Sequence, residues 1–111
     1  MTEPISDAVV EIRTTFTDRN AAESLASRLV GDRLAACVQI DGPVASTYRW
    51  HDTVETAVEW RCTCKTTVGV AAACRTAIAA GHPYEVPEIV ESRVIVSGAY
   101  AAWVRASVRD A

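Results

Sequence analysis

A chain of 111 residues with a formal charge of -3 is long enough for one domain around a single core, and it lacks the basic stripe that nucleic-acid binding requires. Half of the residues are hydrophobic but only 6% are aromatic, so Val, Ala, Leu and Ile must fill that core. The first residues lack the charged start and apolar stretch of a secretory leader, and no apolar run nears the ~20 residues of a membrane span. A soluble, cytoplasmic protein is the expectation, with neither membrane nor nucleic acid as partner.

Four cysteines, Cys37, Cys62, Cys64 and Cys74, contain no C-x-x-C pair, so a structural zinc site is disfavoured. In a reducing compartment they read as small buried hydrophobes. Cys62 and Cys64 would share one side of a strand.

Taken in order, Ala8 to Thr15 alternates Val10 and Ile12 against Glu11 and Arg13 and reads as a first strand. Thr17-Asp18 supplies a helix N-cap. Ala22, Leu25, Ala26, Leu29 and Val30 then give one apolar face, with Gly31 as the expected C-cap. Leu34 to Thr67 is extended, broken at Asp41-Gly42-Pro43, which reads as a bulge, and at His51-Asp52-Thr53, which reads as a hairpin reversal. Its second arm alternates Val54, Thr56, Val58, Trp60, Cys62 and Cys64 with Glu55, Ala57, Glu59, Arg61, Thr63 and Lys65. Val68 to Ala80 reads as a second helix ended by Gly81, and Ile89 to Val96 as a fourth strand. Ser97 caps a last helix whose expected buried stripe is Tyr100, Trp103, Val104 and Val108. The order β, α, β, β, α, β with an added α is the ferredoxin-like, split βαβ form of the α+β class. Both main helices should lie on one face of an antiparallel sheet.

Between the second helix and the fourth strand stands His82-Pro83-Tyr84-Glu85-Val86-Pro87-Glu88. Its two prolines withhold backbone donors and push His82 and Val86 out of helical geometry, which makes it a stiff connector. It carries an imidazole, a phenol and two carboxylates where an ordinary connector uses Gly, Asn and Ser. The loop is expected to wall a site.

Each hairpin arm, at ~3.3 Å per residue, reaches roughly 45 Å, whereas each main helix, at ~1.5 Å per residue, covers roughly 20 Å. The uncovered part holds Val44, Tyr48, Trp50, Val54, Val58 and Trp60 on open-edged strands. Pairing with copies of the same chain is the simplest shelter, which predicts a closed homo-oligomer.

The stretches Arg33-Leu34-Ala35-Ala36-Cys37-Val38, Ser46-Thr47-Tyr48-Arg49-Trp50, Lys65-Thr66-Thr67, His82 to Ile89 and Tyr100-Ala101-Ala102-Trp103 resemble the CutA divalent-cation tolerance proteins, from about Val9 to Val108. The resemblance implies a compact homotrimer with hairpins paired between subunits and clefts like those of the PII signalling proteins. It also implies tolerance to copper and other divalent metals. Some members carry a cysteine where this chain has Thr14 and a histidine where it has Gly81; both have been suggested as ligands, and Glu88 is a further proposed one.

The metal candidates here are His82, Glu85 and Glu88. Imidazole and carboxylates suit Cu(II), Zn(II) or Ni(II), with Cu(II) held tightest. His51, Asp52, Cys37 and Glu59 are the donor types left to complete the shell. Plainer readings stand beside these. His82 has a backbone carbonyl to bond, Tyr84 a packing role, and Glu85 an ion pair with Arg49. A PII-like cleft for a small anionic ligand is the alternative, with Arg49, Trp50, Lys65, Tyr84 and Glu88 around it. No histidine-paired nucleophile and no glycine-rich phosphate loop are present, so an enzyme is not expected.

Overall fold

The computed structural model describes residues 3–110. Strand β1 (Ile5–Phe16) leads to helix α1 (Arg19–Gly31), then β2 (Cys37–Trp50), β3 (Thr53–Thr67), α2 (Ala71–Gly81), β4 (Val90–Ser97) and α3 (Gly98–Ser107). The sheet order is β2-β3-β1-β4 with every neighbour antiparallel. This is the α+β, split βαβ arrangement expected.

The ends of the elements follow local chemistry. Asp18 caps α1 by accepting from the Asn20 amide at 2.9 Å, and Ser97 caps α3 by accepting from the Tyr100 amide at 3.2 Å. Gly31 is the last residue of α1 and not its cap. The cap is Asp32, and the left-handed residue is Arg33, at φ 59. Arg33 is held there because its guanidinium donates to the Ala106 carbonyl at 2.8 Å and its own carbonyl accepts from the Arg109 amide at 2.9 Å. Helix α2 begins three residues later than expected. The Val70 amide turns back to the Thr67 carbonyl, and no side chain is available as a cap.

The hairpin reverses through His51 and Asp52, both left-handed at φ 50 and 65, as a two-residue turn demands. The register shifts between Asp41 and Val44. Gly42 is needed at that bulge: its φ is +154, and a Cβ there would lie 2.7 Å from the Trp60 ring.

Residues paired across strands share a face. Ile12, Cys62, Cys64 and Phe16 point to the side roofed by α1 and α2, where Leu25, Leu29, Cys74 and Ile78 meet them in one core cluster. The four thiols are free; burial pushes Cys62 up to about 11, and Cys64 is also raised, first by its hydrogen bond with Cys74 and then by burial. Helix α3 covers the opposite face near Cys37, whose sulfur lies 3.6 Å from the Tyr100 hydroxyl. The α3 stripe is corrected at Trp103, which is exposed beside a half-buried Tyr100; the inward face of the helix carries Ala101 and Val104, and Trp103 lies off that face.

The hairpin makes the molecule long. Its extents are 52 × 30 × 21 Å. The radius of gyration is 15.1 Å, where a compact chain of this length has about 13 Å. Arms of 14 and 15 residues project past helices of 13 and 11, leaving Val54 and Val58 each 60% exposed.

Candidate functional site

His82 is the residue from which the proline loop is hung. As the residue before Pro83 it is extended, at φ -86 and ψ 135, and this turns its ring back onto β1. The imidazole stacks on Phe16 with centroids 4.3 Å apart and planes 13° apart. Its Nε2–H donates to the Thr15 carbonyl at 2.9 Å, and Nδ1 accepts from the Tyr84 amide at 3.2 Å. Both ring nitrogens are therefore engaged with backbone. Burial pushes the imidazole below its ordinary value, against the smaller pulls of the Thr15 carbonyl and Glu59.

Tyr84 continues the clasp. Its ring meets His82 edge-on at 4.6 Å, and its hydroxyl donates to Glu59 Oε2 at 2.8 Å. Glu59, 7% exposed, is the one buried charged side chain among the described residues. Burial raises its pKa, but the Ser46, Tyr84 and Thr15 hydroxyls and the nearby His82 outweigh burial and hold it below the ordinary glutamate value. Burial, and after it the bond to Glu59, pushes the Tyr84 phenol up to about 12.

These contacts close one side of a groove of about 780 Å³ between the hairpin and the loop. The hairpin contributes Tyr48, Arg49, Trp50, Glu55 and Glu59; the loop contributes Tyr84, Glu85, Pro87 and Glu88; Thr15 and Thr17 join from the end of β1. Four carboxylates face one guanidinium. That guanidinium, on Arg49, donates to the Asp52 carbonyl at 3.4 Å.

Of the residues singled out from the sequence, Arg49, Trp50, Tyr84, Glu85 and Glu88 line this groove. His82 stands behind it, bound to β1. Lys65 is elsewhere on the sheet, its Nζ 2.6 Å from Gln39 Oε1 and 3.7 Å from Glu11. His51 and Asp52 form the hairpin turn, and Cys37 lies against Tyr100 of α3. Glu59 was legible only as one donor among several. Alternation assigns it to a polar strand face, and only the loop folded over that face makes it buried. Among the described residues no three His, Cys, Asp or Glu side chains are grouped to hold a metal ion.

Thr14 is fully buried on the helix-covered face with its hydroxyl unpartnered, and a Cβ at Gly81 would run into the Arg28 guanidinium of α1. Neither position lines the groove. A second concavity along α1, at Asn20, Ser24 and Arg28, is an open surface without an aromatic group.

The clasp is expected to loosen in acid. The folded-state pKa of His82 lies below its unfolded value, so its contribution is complete above about 6.5 and is lost as pH falls through that value towards the folded pKa. Glu59 is shifted in the same sense, and its contribution is lost below about 4.5. The melting midpoint should be level above the imidazole value and decline in two stages below it, the first absent in His82→Asn. A midpoint unchanged down to the carboxylate range would refute the linkage.

No helix among the described residues is long and apolar enough to cross a membrane. The sequence pattern described as "CutA1 divalent ion tolerance protein" matches residues 10–107. The divalent-cation tolerance protein CutA of Pectobacterium atrosepticum is 36% identical over 109 residues, covering 96% of this chain and 96% of that protein. The crystal structure of CutA from Xylella fastidiosa superposes with a TM-score of 0.89 at 35% identity, covering 94% of this chain and 100% of the other. CutA from Synechococcus elongatus, solved as a complex with a Bis-Tris molecule, gives 0.85 at 32% identity over 96% of this chain and 98% of that one. With the split βαβ fold, the long hairpin and the proline-bounded loop all in place, this chain belongs to the CutA1 divalent ion tolerance protein family.

Proposed function

We propose that this protein serves in tolerance of divalent cations, as a cytoplasmic homotrimer, and that the groove between the hairpin and the loop is where an ion is held. The observation that carries this reading is the gathering of Glu55, Glu59, Glu85 and Glu88 on one groove against the single charge of Arg49. Among the described residues one chain does not group three metal donors, so the ion is read as exchangeable cargo, bound by carboxylates and water and completed by a second copy. Glu85 and Glu88 are the proposed donors, with His82 joining only if its ring leaves the Thr15 carbonyl. Copper heads the order of affinity for such donors. The exposed Val54, Val58 and Tyr48 of the hairpin support assembly, and four free thiols support a reducing compartment. We assign it no catalytic step.

Titration of the intact protein with Cu(II) should give saturable binding at about one site per chain, weakened roughly tenfold or more by the double variant Glu85→Gln, Glu88→Gln, as loss of two anionic oxygen donors entails. His82→Ala should weaken it less. Unchanged copper binding in the double variant removes the ion from the loop.

A second reading, a PII-like sensor of a small molecule, is favoured by the size of the groove, about 780 Å³ with three aromatic side chains on it, which suits an organic ligand better than a bare ion. A structural relative was solved with an organic buffer molecule.

A further inference from the structure

We propose that Cys64 and Cys74 form a reversible oxidation site, at which a small peroxide converts the two buried thiols into a disulfide that staples α2 to β3. The pair lies under a helix of its own chain, away from the projecting part of the hairpin and from the groove, so no second copy is needed to complete it.

The first support is position. Cys64 stands in register with Ile12 of β1 on the helix-covered face, Cys74 meets it from the first turn of α2, and both are 0% exposed. The two side chains are hydrogen-bonded to one another. The other two thiols are engaged elsewhere. Cys62 donates to the Ala22 carbonyl at 3.8 Å, and Cys37 lies on the opposite face, 3.6 Å from the Tyr100 hydroxyl.

The second support is the unequal state of the two sulfurs. Helix α2 opens with no side-chain cap and no acidic residue in its first turn, so the unmet amides of that turn favour negative charge there. The hydrogen bond from Cys64 holds Cys74 below the ordinary thiol value against the cost of burial; the Arg75 guanidinium adds to this and Glu91 opposes it. The same bond, and then burial, raise Cys64. Cys74 is therefore the attacking sulfur and Cys64 the proton-bearing partner.

The third support is a way in. The first turn of α2 hangs on the Val70 amide, bonded to the Thr67 carbonyl at 3.2 Å, and on the Cys74 amide, bonded to the Val70 carbonyl at 3.0 Å. Val68, Gly69 and Ala72 around it are exposed. An uncapped turn of this kind opens locally without unfolding the domain, and a molecule the size of hydrogen peroxide then reaches Cys74.

The step balances with the peroxide as oxidant. The Cys74 thiolate attacks one peroxide oxygen, the O–O bond breaks, and the departing oxygen takes up a proton and leaves as water. The Cys64 sulfur then attacks the sulfenic sulfur of Cys74; the S–S bond forms, the S–O bond breaks, and the Cys64 proton leaves in a second water. The sulfurs lose two electrons, the peroxide gains them, and a dithiol reverses the change.

Treating the reduced, intact protein with hydrogen peroxide, alkylating the remaining thiols in denaturant and mapping the peptides by mass tests this. The peptide carrying Cys74 should be joined to the one carrying Cys62 and Cys64, lighter by two hydrogens, with Cys37 alkylated, and dithiothreitol should restore all four thiols. Cys62→Ala should keep the link. Cys64→Ala should lose it and leave Cys74 as a sulfenic acid that dimedone labels, and Cys74→Ala should slow peroxide consumption by at least about tenfold. Where a variant does not fold, fragmentation of the linked peptide from the parent protein assigns the bond. A link made by Cys62, oxidation at Cys37 alone, or four thiols still alkylated after the peroxide overturns the proposal.

Discussion

Phe16→Ala is expected to lower stability by about 3–5 kcal/mol, and with it the melting midpoint by roughly 10–20 °C for a chain of this size. The ring is 1% exposed at the end of β1 and is the largest fully buried side chain. Its loss leaves a cavity between the sheet and the helices, and it also removes the surface on which His82 stacks. The effect should therefore reach further than an ordinary core truncation. With the imidazole unseated, the Tyr84–Glu59 bond loses its support, and amide hydrogens of residues 82–88 should exchange faster than those of α1. Phe16→Leu separates the two contributions, since it keeps most of the buried volume but not the stacked plane. Thermal melts at fixed protein concentration, with hydrogen exchange read by segment, check both. A midpoint shift of only a few degrees in the alanine variant would mean that the clasp does not hang on this ring.

Val58→Asp is the second large effect, and it should appear in assembly and not in folding. Val58 is 60% exposed on β3, opposite Ala45 and on the same strand face as the similarly exposed Val54. In one isolated chain an aspartate there meets water, and a surface exchange of that kind changes stability by about 0.5 kcal/mol or less. Inside an interface the same aspartate would be an unpaired buried charge, costing several kcal/mol for each copy. Light scattering should report three times the 11.9 kDa chain mass for the parent and one chain mass for the variant, with far-ultraviolet dichroism unchanged. A parent that scatters as a monomer contradicts the proposed trimer outright. A variant that remains trimeric places the contact elsewhere on the hairpin.

Most of the fold was legible because its signals are local. Asp18 and Ser97 announce helix starts by their side-chain oxygens, the alternation from Val54 to Lys65 announces a strand, and the prolines at 83 and 87 forbid anything regular between α2 and β4. The misplacements are of the kind local reading makes. Gly31 looks like a cap but is the last helical residue, because the contacts that stop the helix come from Arg33, whereas α2 does end at Gly81 as read. Trp103 was assigned to a buried stripe by helical spacing, which cannot say which side of α3 turns to the sheet.

The site divides along the same line. That the segment at 82–88 is neither helix nor central strand followed from its prolines; Arg49 and Trp50 of the hairpin line the same groove as Tyr84, Glu85 and Glu88. The separation of Lys65 from them, the binding of both His82 nitrogens by backbone and the burial of Glu59 did not follow. Each depends on which distant stretches touch. Side-chain periodicity encodes the face a residue shows, but not what is laid over that face, and a carboxylate becomes a buried charge only when another part of the chain covers it.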